Sequence, residues 1–291
     1  MAEREEGFID VPGGKVWYSV RGRRTHRPDI LVLHGGPGAP HDYLSPMECL
    51  ADRRRVIFFD QLGCGRSDRP EDDTLWTVER FVEELRVVRE MMGLEEMHVV
   101  ASSWGTMLLT SYIDRHGQTG IRSIVMSGPA VSTRLFLEGA RSHILKLPKE
   151  MQDAIWRAEG SGEYDDAYQS AMNEYYHRHV CRIDPWPECV DSTFSGFGAA
   201  VYRKMWGPSE FTCDGVLKHF DKLHVLREFQ MPVLFTCGEH DEATPTSVEE
   251  YLRNTPGARM LILSGASHMH HLERPDDYFG AVRALIDRAD Q

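Results

Sequence analysis

Met97-His98-Val99-Val100-Ala101-Ser102-Ser103-Trp104-Gly105-Thr106-Met107-Leu108 passes from a short, mostly apolar run into a helical pattern within two residues. The run Met97–Ser102 reads as a strand buried on both faces. Met107, Leu108 and Tyr112 then share one face of a helix that opens right after Ser103. A strand that turns this sharply into a helix holds its turn residue exposed at the end of a sheet. Such a turn needs small residues two before and two after that residue. Ala101 and Gly105 supply them, Ala101 being one methyl larger than the usual glycine.

Comparable strand-like runs lie on both sides. Residues 15–22, 30–33 and Val56–Phe59 precede this segment, and 121–126, 232–237 and 260–263 follow it. Between them lie helical patterns. The clearest sets Val78, Phe81, Val82, Leu85, Val88 and Met92 on one face, with Thr77 as N-cap and Gly93 as the stop. A last helix over 278–289 is expected to cover the sheet edge. Strands alternating with helices predict an α/β class, a mostly parallel sheet flanked by helices. Across 132–224 the alternation stops and a helical stretch rich in aromatic residues intervenes. It predicts a helical cap (132–224) over the strand C-termini, where open α/β sheets bind ligands. The core would then comprise 1–131 and 225–291.

The 291 residues carry 33 Lys and Arg against 45 Asp and Glu, a net charge of −12, and no basic block interleaves with aromatic residues. No nucleic-acid partner is expected. No apolar run approaches a membrane span, and the polar start Met-Ala-Glu-Arg-Glu-Glu-Gly lacks the apolar core of a secretory leader. The six cysteines form no Cys-x-x-Cys pair. A reduced, cytoplasmic protein with no membrane partner is expected, although a mature chain trimmed of its leader would read alike.

Three further stretches sit just past strands. Leu33-His34-Gly35-Gly36-Pro37-Gly38 is a glycine-rich loop whose backbone can approach a bound group closely. Gly238-Glu239-His240-Asp241-Glu242 and Gly265-Ala266-Ser267-His268 place titratable side chains on the same rim as Ser103. A serine hydroxyl attacks a carbonyl only when a base takes its proton, and the base needs a carboxylate to fix its tautomer. Ser103, Asp241 and His268 follow in the chain order expected of nucleophile, acid and base on such a sheet. They are the candidate catalytic residues. Attack builds negative charge on the carbonyl oxygen, which two backbone N–H groups must meet. Gly36 and Trp104, the residue after the serine, are the candidates. His240, His268, His270 and His271 raise the question of a metal, but no His-Glu-x-x-His or comparable spacing occurs. No metal and no cofactor is expected. His177 and His179 read as structural residues of the cap. The glycines of Asp60-Gln61-Leu62-Gly63-Cys64-Gly65-Arg66-Ser67 suit a tight loop, since the lysine of a phosphate-binding loop is missing.

Together, His34-Gly35-Gly36-Pro37-Gly38, the 60–67 loop, Ser103-Trp104-Gly105 and Gly238-Glu239-His240-Asp241-Glu242-Ala243-Thr244-Pro245 resemble the proline iminopeptidase family of α/β hydrolases. Within that family the chain looks most like the tricorn-interacting aminopeptidase and bacterial amino-acid amidases. The likeness runs almost end to end and takes in Trp206-Gly207-Pro208-Ser209-Glu210-Phe211-Thr212. Departures are Ala101 for a glycine and Thr106 for a second glycine, the latter expected to matter little. The resemblance implies a serine hydrolase, needing no cofactor, that releases an N-terminal proline or other apolar residue from a small peptide or aminoacyl amide through an acyl-enzyme. It implies Ser103, Asp241 and His268 as the triad and Gly36 and Trp104 at the oxyanion hole. It also implies that Glu210 and Glu242 bind the substrate's α-ammonium; without it, Glu210 reads as a solvated cap residue and Glu242 as part of a polar loop. Tyr175, Phe194, Phe197 and Trp206 are expected either to form an apolar pocket for the first side chain or to pack as cap core. The alternative readings are a carboxylesterase or thioesterase of the same fold, and a non-catalytic ligand-binding protein.

Overall fold

The computed structural model describes residues 3–291. Its strands are β1 Arg4–Val11, β2 Gly14–Arg21, β3 Asp29–Leu33, β4 Val56–Phe59, β5 Met97–Ser102, β6 Ile121–Ser127, β7 Val233–Gly238 and β8 Arg259–Leu263. They form one sheet in the order β1-β2-β4-β3-β5-β6-β7-β8. The pairs β1–β2 and β2–β4 are antiparallel, and every pair from β4 to β8 is parallel. Strands β3, β4 and β5 are buried along their whole length, as their continuous apolar sequences require.

Helix α1 (Val78–Met91) begins where Thr77 Oγ1 accepts the Arg80 N–H at 3.2 Å and buries Phe81, Val82, Leu85 and Val88. Each such side chain stabilises the fold by about 1.5–3 kcal/mol. Helix α2 (Trp104–His116) follows β5 directly and packs against α1. Between β6 and β7 the chain runs through α3 (Thr133–Ile144), α4 (Lys149–Ser161), α5 (Asp166–His179), α6 (Glu188–Ser195), α7 (Ala199–Met205) and α8 (Leu223–Leu226). This stretch has an apolar cluster of its own, including Ala140, Ile144, Ile155, Tyr168, Tyr175 and Phe211. After β7 come α9 (Pro245–Arg253), α10 (His270–Glu273) and α11 (Pro275–Ala289).

Two expectations need correction. Strand β1 was not anticipated, because Arg4-Glu5-Glu6-Gly7-Phe8-Ile9-Asp10-Val11 is largely charged and exposed. Its sequence suits an outer strand, where charge discourages pairing with another chain. Helix α11 does not cover the sheet edge. It packs on β6 and β7, burying Tyr278, Val282, Leu285 and Ile286, and leaves β8 outermost.

Candidate active site

Ser103 joins β5 to α2 with φ 52° and ψ −123°, the only non-glycine residue at positive φ among the described residues. Such strain, about 1–3 kcal/mol, persists only where the surroundings enforce it. Ser103 N–H donates to Ser127 O at 3.0 Å, and its carbonyl accepts from Thr106 N–H at 2.8 Å and Thr106 Oγ1 at 2.6 Å. Thr106 Oγ1 in turn accepts the Ala130 N–H at 2.9 Å. Thr106 therefore ties the turn to the loop after β6, a larger part than its sequence position suggests. A Cβ at Gly105 would lie 2.5 Å from Leu33 O, so only glycine lets α2 start this close to the end of β3. Ala101 is accommodated, fully buried within β5.

Trp104 N–H, at the start of α2, and Gly36 N–H donate to no protein acceptor among the described residues. The first turn of a helix leaves its N–H groups free and carries partial positive charge. Both residues border the space in front of Ser103.

Asp241 follows β7, and His268 follows β8. His268 Nδ1 donates to Asp241 Oδ1 at 2.7 Å, which leaves Nε2 free of that bond. The Asp241 carboxylate also accepts from Gly238 N–H at 3.2 Å and Ala243 N–H at 2.8 Å. Burial alone would raise its pKa, but His268 and, after it, His270 hold it well below the usual carboxylate range. Burial alone would lower His268, yet the Asp241, Glu242 and Glu210 carboxylates lift it to about 9. Ser103 and His268 line one cavity but share no hydrogen bond among the described residues. Such bonds are often long in an empty site and tighten with substrate.

Glu210 and Glu242 line that same cavity, of about 180 Å³, together with Gly36, Tyr43, Tyr176 and Tyr202. Glu242 Oε1 lies 3.8 Å from His268 Nε2, and its buried Oε2 has no hydrogen-bond partner among the described residues. Glu210 Oε2 accepts from Tyr202 Oη at 2.9 Å. Burial and mutual repulsion push Glu242 well above the ordinary range, and burial raises Glu210. No Lys or Arg pairs with either among the described residues.

The four aromatic residues expected at a pocket separate. Phe194 and Phe197 line the cavity. Trp206 instead borders a recess of about 20 Å³ on the Trp104 side of Ser103, with Met107, Phe136 and Leu217. Tyr175 is a correction: it is fully buried in the apolar cluster between β6 and β7, edge-on to Phe211 at 4.8 Å between ring centroids, and lines neither space. Tyr176 and Tyr202, partly buried, take the position expected of it.

His143 escaped sequence reasoning, and His179, expected only as a structural residue, touches the loop that carries Asp241. His179 Nδ1 donates to His240 O at 2.7 Å, and His143 Nε2 to Asp241 O at 2.9 Å. The His179 carbonyl accepts the N–H groups of Glu242 at 3.3 Å and His268 at 3.0 Å. The two rings stack at 3.8 Å, and burial lowers both, His179 to about 3. Two neutral rings thus hold the backbone of the acid loop. The histidines noted as a possible metal set do other work: His270 Nε2 is 2.9 Å from both Ser127 Oγ and Thr236 Oγ1. Among the described residues the compact His and carboxylate group is His41, Asp42 and Asp60, in which Asp60 accepts from His41 N–H and Arg66 N–H, both at 2.9 Å.

Residues 28–275 match the model of the alpha/beta hydrolase fold family. The chain is 40% identical over 284 residues to a proline iminopeptidase of Heyndrickxia coagulans, covering 97% of this chain and 98% of that one. It superposes on the crystal structure of proline iminopeptidase from Mycobacterium smegmatis with a TM-score of 0.90, at 33% identity over 98% of this chain and 99% of that one. The crystal structure of VinJ gives a TM-score of 0.93 at 31% identity, with the same coverage of 98% and 99%.

Proposed function

We propose a mechanism and a specificity from one premise: the chain belongs to the proline iminopeptidase family of α/β hydrolases. It is a serine aminopeptidase that releases one N-terminal residue, proline or another apolar one, from a small peptide or aminoacyl amide. Ser103 Oγ attacks the scissile carbonyl while His268 Nε2 takes its proton, and Asp241 stabilises the imidazolium. The oxyanion meets the N–H groups of Gly36 and Trp104. His268 returns the proton to the leaving amine, and water then hydrolyses the aminoacyl-enzyme by the same steps.

One observation carries the amine specificity. Two carboxylates, the buried Glu242 and the partly buried Glu210, border the cavity in front of Ser103 without a Lys or Arg partner among the described residues. Buried charge demands a partner, and an α-ammonium one carbon from the scissile carbonyl would supply it. A site that fixes the ammonium there admits a single residue before the cut. The cationic substrate also takes over the charge that His268 supplies in the empty site, which frees the imidazole to act as a base. The six cysteines, all free, fit a reducing compartment.

The test compares a free aminoacyl arylamide with its N-acetylated counterpart. Turnover of the free amine alone supports the aminopeptidase. Equal turnover of both would favour an esterase that ignores the amino group.

A further inference from the structure

The loop after β4 holds a side chain that acyl transfer leaves without a task. Gln61 is 1% exposed and lines neither the cavity nor the recess at Ser103. Its backbone N–H donates to His34 Nε2 at 2.8 Å. That nitrogen is therefore an acceptor, so the ring proton sits on Nδ1 and faces Gly35 O at 3.1 Å. Burial pushes His34 down to about 4, so the ring stays neutral as this tautomer requires.

The Gln61 side chain reaches in two directions. Its Oε1 accepts the Trp104 Nε1–H at 2.8 Å, and its Nε2 donates to His34 O at 3.2 Å. An indole N–H only donates, which fixes the orientation of the amide. One buried side chain thus bonds both to the residue that carries one expected oxyanion donor and to the loop that carries the other. Gly36 stands two residues after His34, and the loop backbone passes so near the nucleophile that a Cβ at Gly35 would lie 2.9 Å from Ser103 Cβ.

We propose that Gln61 is a positioning residue that sets the separation of the Gly36 and Trp104 N–H groups, and so the fit of the oxyanion hole, without touching substrate. This role rests on Ser103 being the nucleophile but not on the identity of the released residue. An amide is the group that serves here, since it accepts from the indole at one end and donates to a carbonyl at the other. A glutamate of the same shape would set a carboxylate oxygen against His34 O, and a leucine would drop both bonds.

The experiment measures Gln61→Leu, Gln61→Glu and Trp104→Phe with an aminoacyl arylamide and with two inhibitors. An aminoacyl aldehyde forms a hemiacetal with Ser103: the hydroxyl proton goes to His268, and the carbonyl π pair becomes the oxyanion. The matching amino alcohol offers the same amine and no carbonyl. In Gln61→Leu, kcat should fall by about 30–100-fold with KM within about 3-fold, because only interactions made in the transition state are lost. Aldehyde affinity should fall by a similar factor and amino alcohol affinity by less than about 2-fold. Gln61→Glu should show the same split together with a lowered melting temperature, because it buries a carboxylate against His34 O, and Trp104→Phe a smaller loss in the same direction. Wild-type kcat in the folded variants, or equal weakening of both inhibitors, would overturn the assignment. Ser103→Ala runs in parallel: an active Ser103→Ala protein would sink the acyl-transfer reading itself. An inactive one beside wild-type Gln61 variants would sink only the role of Gln61.

Discussion

Ser103, Trp104, Asp241 and His268 each stand a few residues past a strand of the sheet, whereas Glu210, Tyr202, Phe194 and His179 stand on helices and loops between β6 and β7. The first group is placed by local sequence, because a parallel strand fixes where its own C-terminal turn emerges. The second is placed by packing between elements far apart in the chain. The proposed mechanism thus assigns chemistry to turns at the ends of strands, and recognition to a layer with an apolar cluster of its own. Substitutions in the two groups should fail differently.

The largest effect belongs to the sheet. Ser103→Ala should lower kcat/KM on an aminoacyl arylamide by about 10⁴-fold or more while leaving the melting temperature nearly unchanged, since the nucleophile contributes to reaction and not to packing. Steady-state kinetics and thermal unfolding check this, and full activity would end the triad assignment. Glu242→Gln sits at the junction of the two groups. Removing one partner of a buried charge pair costs about 2–5 kcal/mol, so turnover of the free-amine substrate should fall by roughly 30–5,000-fold. Hydrolysis of a simple aryl ester should change by less than about 5-fold, because that substrate brings no ammonium to pair. Equal losses on both would place amine recognition elsewhere.

The same contrast explains what the sequence made legible. The placement of Ser103, Asp241 and His268 just past strands was readable because each follows an apolar run. Gly36 was readable from its glycine-rich loop. Glu210 had no local signal and entered only through resemblance, since nothing near it in the chain says that its carboxylate lines the same cavity as Glu242. Tyr175 could not be told from pocket residues for the same reason: four aromatic residues in one helical stretch look alike until packing divides them between cavity and core. His179 shows the limit most clearly. Its ring holds His240 O and its carbonyl holds the N–H groups of Glu242 and His268, contacts spanning 61 residues in the first case. No periodicity encodes that.

His179→Ala tests whether the helices between β6 and β7 position the proposed catalytic residues. The substitution should remove the bond to His240 O and the stacking on His143, and lower stability by about 1–3 kcal/mol. Loosening the backbone next to Asp241 and Glu242 should also reduce kcat by roughly 10-fold, a loss comparable to misplacing a supporting group. Unchanged kcat beside a lowered melting temperature would make His179 a packing residue alone.

The smallest expected effect is a shift in pH dependence, and it couples the two groups through one imidazole. Burial alone would lower His268, but Asp241, Glu242 and Glu210 lift it to about 9 in the empty site. At neutral pH the free enzyme then carries an imidazolium, which cannot accept the Ser103 proton. Since kcat/KM reports groups of the free enzyme, its value on an aryl ester should rise with pH from neutrality towards about 9. The ester keeps the substrate's own amine out of the profile. Glu242→Gln removes one of the charges that favour the imidazolium, so the rise should move to lower pH by about 0.5–1 unit. Stability carries the same sign. A pKa raised from 6.5 to about 9 gives a contribution that is whole below 6.5 and is lost as pH climbs through 9. Glu242→Gln should therefore flatten the fall of melting temperature across that window. A rise centred at the ordinary histidine value in both proteins would show that the carboxylates on the two sides of the cavity do not act on the base together.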